Sequence, residues 1–210
     1  MNFYHLILLD ASGSMDCIRH TALTGCNETI QSIRSTQRKS PDQQHRLTLV
    51  SFNSGNVTNR MIDNLPIEQC VDLKERDYIP DSCTPLYDAV GFSIRRLQEQ
   101  AKSAEGEKMF LVTIITDGLE NDSKHFTAKQ LKSIIEELKP QGWTFAFIGA
   151  NQDEVLAANN IGIHNAMSFE QDEAGTRTMF EKLGKARAVF CQAAPRMSKD
   201  ERDRNFFSNL

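Results

Sequence analysis

Residues 3–9, FYHLILL, form an unbroken and largely apolar run that reads as a strand buried on both faces. From Asp16 to about Arg38 the pattern changes. Ile18, Ala22, Cys26, Ile30 and Ile33 recur every three or four positions, which predicts a helix with one apolar face. Residues 46–52 and 57–63 again look like strands, separated only by Asn53-Ser54-Gly55-Asn56, a link too short for a parallel crossover. They are predicted to pair as an antiparallel hairpin. After an irregular stretch through Pro80, the stripe Leu86, Val90, Ile94 and Leu97 predicts a helix over 84–104, with Thr84 as its N-cap and Pro85 at its first helical position. Residues 109–116 are the most strand-like of the chain and end at the turn signal Asp117-Gly118. A helix over 127–138, a strand over 143–148, a short helix over 153–160, a weaker strand over 164–169 and a closing helix over 172–194 complete the pattern.

Strands alternating with helices of this length predict an α/β fold. It is a three-layer, doubly wound, Rossmann-like arrangement whose mostly parallel sheet has the order 3-2-1-4-5-6 and one antiparallel edge strand. In that order strands 1 and 4 are neighbours, and the crevice opens beyond their carboxyl ends. Asp10 closes the first of them and Asp117 the other. A chain of 210 residues suits one domain, assigned to 1–195, followed by a charge-rich tail, 196–210, that is expected to fray, although Phe206 and Phe207 could equally dock on a partner or fold back on the domain.

Composition narrows the partners. The net charge is -4 and the basic residues are scattered, so no stripe of Lys and Arg supplies a phosphate-neutralising surface, and nucleic acid is excluded as a partner. No stretch approaches the ~20 apolar residues that span a bilayer, so a membrane is excluded too. The apolar run at 3–9 lacks a basic flank and a small-residue cleavage site and reads as a strand, not a signal peptide. Five cysteines, an odd count without a C-x-x-C pair, read as reduced and mostly buried thiols of a cytoplasmic protein.

Three segments are expected to meet at the crevice: residues 10–15 (DASGSM), 82–85 (SCTP) and 116–121 (TDGLEN). Asp10, Ser12, Ser14, Thr84 and Asp117 offer only oxygen donors, the class that Mg2+ prefers, with Mn2+ or Ca2+ as further candidates. The histidines are dispersed along the sequence and give no His/Cys cluster for zinc. Three hydroxyls and two carboxylates would fill all but about one position of an octahedron, leaving room for an incoming ligand. Gly13 is expected to let the first loop turn sharply, and Gly118 to serve a turn after Asp117. Met15, Tyr87, Glu120 and Asn121 lie close in sequence and are candidates for a ligand rim, with burial or loop chemistry as the plainer reading of each.

The D-x-S-x-S pattern at 10–14, joined to Thr84 and Asp117, resembles the metal-ion-dependent adhesion site of von Willebrand factor A domains. Further segments, TPLYDAV at 84–90, ITDGLENDS at 115–123 and GWTFAFIGANQDEVLAANNIGI at 142–163, are similar to stand-alone bacterial and phage-type members. The resemblance implies that Ser12, Ser14 and, in the ligand-ready state, Thr84 touch the cation while Asp10 and Asp117 act largely through water. It also implies a non-enzymatic adaptor that binds an Asp or Glu carboxylate of a protein partner, in some members within an AAA-type ATPase assembly. Two alternatives stand beside it. One is a Mg2+-dependent phosphohydrolase with Asp10 as nucleophile, although the haloacid-dehalogenase pattern wants a second Asp where Ser12 stands. The other is a scaffold whose metal is purely structural.

Overall fold

The computed structural model describes residues 1–150 and 152–208. Six strands, β1(Asn2–Asp10), β2(Gln44–Asn53), β3(Asn56–Pro66), β4(Lys108–Thr116), β5(Trp143–Gly149) and β6(Asn165–Ser168), form one sheet in the order β3-β2-β1-β4-β5-β6. Every neighbouring pair is parallel except β2 and β3, the predicted hairpin. The α/β expectation of a doubly wound sheet with one antiparallel edge strand therefore holds. So does its strand order.

Strand periodicity sorts the core into two halves. In β1 the odd positions Phe3, Ile7 and Leu9 face α1(Arg19–Lys39) and α5(Glu173–Ala193), where Cys26, Ile30, Leu183 and Phe190 meet them. The even positions Tyr4, Leu6 and Leu8 face the opposite layer, α2(Leu86–Ala101), α3(Ala128–Leu138) and α4(Gln152–Asn160). Burial on both faces explains why β1 and β4 read as continuous apolar runs and not as alternating ones.

Three departures from the sequence reading bear on the site and the terminus. The predicted first helix begins as a 3-10 turn, Gly13–Ile18, before α1. Helix α2 starts at Leu86 with Pro85 in the N-cap position and no side-chain cap of its own, so Thr84 does not cap it. The segment expected to fray is docked instead: α6(Lys199–Arg204) packs back on the domain, and Phe206 is buried edge-on against Phe190. The Phe206 N–H donates to Asn165 Oδ1 at 3.1 Å, and Lys139 Nζ pairs with Asp203 at 3.0 Å. No helix among the described residues is long and apolar enough to cross a membrane.

Candidate metal centre

Because β1 and β4 pair in parallel, Asp10 and Thr116 leave the sheet side by side. Asp10 is fully buried, and both its oxygens are engaged: the Ser12 N–H donates to Oδ1 at 2.7 Å and the Thr116 hydroxyl to Oδ2 at 2.6 Å. Its carbonyl accepts from the Tyr78 hydroxyl at 2.6 Å, which ties the loop over 70–80 to the end of β1. Ser12 is buried while Ser14 is exposed, so the group has a deep side and an open side. Ser12 Oγ and Ser14 Oγ are 3.2 Å apart, and the Ser14 hydroxyl donates to Asp117 Oδ1 at 3.0 Å.

Thr84 reaches the same corner. It is buried, and its Oγ1 would lie 3.3 Å from a Cβ built on Gly118. The Gly13 N–H donates to the Ser82 carbonyl at 3.1 Å, joining the first loop to the second. Ser82 holds a φ of 66°, the left-handed region that L-residues with a side chain enter at a cost. Gly13, by contrast, needs no positive φ, and a Cβ there would meet nothing nearer than 3.8 Å, so of the two glycines only Gly118 has a tight neighbour, Thr84 Oγ1.

The carboxylates lack basic partners. Among the described residues no Lys, Arg or His forms an ion pair with Asp10 or Asp117. Burial pushes the Asp10 carboxyl up to about 6, against the hydrogen bonds from Thr116 and Ser12, and the Asp117 charge adds to the rise. Burial raises Asp117 as well, opposed first by the bond from Ser14. Two desolvated acids facing three hydroxyls form a group that a hard divalent cation fits, since it would supply the compensating charge and take only oxygen donors.

The flanking candidates divide. Met15 is fully buried in the core under α1, so it cannot line a rim. Asn121 is exposed yet tied to the second loop: Thr84 N–H donates to its Oδ1 at 2.8 Å, and its own N–H donates to the Thr84 carbonyl at 3.2 Å. Glu120 serves as a tertiary cap, accepting from the Tyr87 N–H at 2.8 Å and from Ser123 N–H and Oγ. With the Ser123 hydroxyl accepting from the Asp88 N–H at 3.0 Å, these residues satisfy the first free amides of α2. Tyr87 is half-buried at the same edge.

Two features escaped sequence reasoning. The Gln171 amide donates to Asp117 Oδ2 and to the Ser14 carbonyl at 3.1 Å, bringing the segment before α5 onto the site. No motif marks it. The fold also gathers His5, His45 and Cys191, which the sequence scatters: their ligand atoms lie within 4.8 Å of one another in the buried layer beneath α5. His5 Nε2 and His45 Nδ1 are already hydrogen-bonded at 2.9 Å, and His45 Nε2 meets Gln43 Oε1 at 3.1 Å. Burial first, with His45 and Arg187 adding to it, holds His5 well below the ordinary histidine range, and burial lowers His45 to about 4. The cluster is a nitrogen and sulfur group unsuited to Mg2+.

No family model and no curated protein matches the sequence. Among solved structures, the PilB minor pilin from Streptococcus sanguinis superposes with a TM-score of 0.59 at 12% identity, over 90% of this chain and 61% of that one. Proximal thread matrix protein 1 from the mussel byssus superposes with a TM-score of 0.57 at 14% identity, over 89% of this chain and 46% of that one. The chain thus spans less than two thirds of these neighbours, and at such identities the likeness is one of fold.

Proposed function

We propose that this chain is a protein-binding module that engages an Asp or Glu carboxylate of its partner through a divalent cation, Mg2+ or a similarly hard ion, on Asp10, Ser12, Ser14, Thr84 and Asp117. The observation that carries the reading is the pair of buried acids, Asp10 and Asp117, without an ion-pair partner among the described residues and converging with three hydroxyls at one open corner. Bound there, the cation supplies the positive charge that draws an incoming carboxylate and accepts it as a further oxygen ligand.

The residues of the chain divide the work. Asp10, clamped by Ser12 N–H and Thr116, is held rigid at the base. Ser14 stands at the solvent side, where a visitor arrives. Neutral hydroxyls keep the cage at two negative charges, so it does not saturate the appetite of the ion for anions. The engagement of both Asp10 oxygens supports a positioning role over that of a phosphoryl-accepting nucleophile. A cytoplasmic setting, suited to five free thiols, and an AAA-type ATPase assembly as the larger partner extend the same proposal.

The test is affinity capture from extract of the native cells, with Mg2+ or with EDTA, for the natural chain and for Asp10→Ala. Recovery of a partner in Mg2+ alone, lost in the variant, is expected. Equal recovery under all conditions overturns the proposal, and a metal-induced rise in melting temperature with unchanged recovery assigns the cation a structural role.

A further inference from the structure

Beside the metal corner lies a second, apolar feature that the cation does not need. A cleft of about 200 Å3 is walled by Leu86, Phe147, Ile161 and Leu119, with Gly118 and Glu120 on its rim. Gly118 belongs to both features, because it follows Asp117 directly and its Cα faces the Thr84 hydroxyl. The cleft and the candidate ligands are thus continuous across one residue. Leu119 at this edge is half exposed, and Leu156, from the helix that supplies Ala157 to the cleft, is more so. These are among the few large apolar side chains that the fold leaves to solvent.

Resting on the reading above, we propose that the cleft is a specificity pocket for one uncharged apolar side chain of the same partner segment, adjacent to the acidic residue that meets the cation. Size supports this. An apolar cavity of roughly 150 Å3 accepts a benzene ring, so the volume here suits one leucine, isoleucine, methionine or phenylalanine side chain and not a bulkier body. Charge supports it too. The Glu120 carboxylate is fixed on the rim by the N–H groups of Tyr87, Asp122 and Ser123, so it cannot swing away from an entering side chain. A second acid at the neighbouring position would be repelled and desolvated, while an apolar one buries against the four hydrophobic walls. The partner determinant is therefore a short acidic-apolar motif, and an acidic run is selected against.

A set of synthetic peptides, each with a single central Asp and every residue type in turn at the positions on either side of it, provides the probe. Binding is read by fluorescence polarisation in Mg2+ and in EDTA. The expected result is Mg2+-dependent binding, strengthened roughly tenfold or more by Leu, Ile, Met or Phe at one flanking position and weakened by Asp or Glu there. Leu119→Asp, an exposed change that leaves the core intact, should erase the apolar preference while Mg2+-dependent binding of the Asp peptides persists. Ala157→Phe, which fills the cleft, should do the same. Mg2+-dependent binding with no preference at any flanking position overturns the pocket and leaves the metal reading standing. No Mg2+-dependent binding of any peptide overturns both.

Discussion

Thr84 and Asn121 bond each other twice, the Thr84 N–H donating to Asn121 Oδ1 at 2.8 Å and the Asn121 N–H to the Thr84 carbonyl at 3.2 Å. This clasp joins the two loops that bring a hydroxyl and a carboxylate to the corner, while Glu120 and Ser123 take over the capping of α2. Asn121→Ala removes the side-chain half. A net hydrogen bond is worth about 1 kcal/mol, so Mg2+ affinity measured by calorimetry should fall roughly fivefold, with the circular dichroism spectrum unchanged. Asn121→Asp, which keeps the acceptor oxygen, should lose less than the alanine variant. An alanine variant that binds Mg2+ as tightly as the natural chain would show that the clasp does not set the position of Thr84.

Asp88, in α2, has a different task. It is buried, and its carboxylate accepts from the N–H groups of Lys124, His125 and Phe126 at 2.7–3.2 Å. Bonds to a buried charge are each worth about 1.5–3 kcal/mol, and removing the acceptor strands several donors at once. Asp88→Ala is therefore expected to cost at least about 3 kcal/mol in urea unfolding, and Asp88→Asn somewhat less. A loss under about 1 kcal/mol would mean that the amides find water as readily as they find the acid.

Much of this was legible in the sequence because it follows from periodicity and topology. Once β1 and β4 are read as adjacent buried strands, Asp10 and Asp117 must emerge together, and hydroxyls on the neighbouring loops have little choice of company. Thr84 as a helix cap was the natural inference from a Thr-Pro pair, but Glu120 and Ser123 satisfy those amides from 33 and 35 residues away. Tertiary capping leaves no local signature. Gln171 is equally silent, since only the closure of α5 over the sheet sets it against Asp117. The charged terminus is only half legible: Phe206 suggests a fold-back, but a six-residue helix shows too little periodicity to advertise that this residue is its anchor.

The contrast between two glycines gives a sharper measurement. A Cβ on Gly118 would stand 3.3 Å from Thr84 Oγ1, tight enough to push the hydroxyl aside, whereas one on Gly13 would meet only ordinary contacts. Gly118→Ala is expected to weaken Mg2+ binding severalfold with little change in stability, and Gly13→Ala to leave binding within about twofold of the natural chain. The reverse order would place the hydroxyl that matters on the first loop and not on Thr84.

Asp10 sets the pH dependence. Its carboxyl is pushed from 3.8 up to about 6 in the metal-free protein, so the folded chain holds this proton more tightly than the unfolded one. Between about pH 4 and pH 6 the folded state then binds more protons, and stability contributed by this group falls as pH rises, by about 3 kcal/mol once pH exceeds 6. At the proposed site Mg2+ would compete with the same proton. Its affinity should be flat above pH 7 and drop below pH 6, approaching a tenfold loss per pH unit. Asp10→Asn separates the two effects: the metal-free variant should unfold at a higher temperature than the natural chain at pH 8, lose the Asp10 share of the decline while keeping what the raised Asp117 carboxyl contributes, and gain nothing from added Mg2+. Melting curves across pH, with and without the ion, decide it. A variant that still gains stability from Mg2+ at pH 8 would place the cation elsewhere, because Asp10 is the deeper of the two acids and has no ion-pair partner among the described residues.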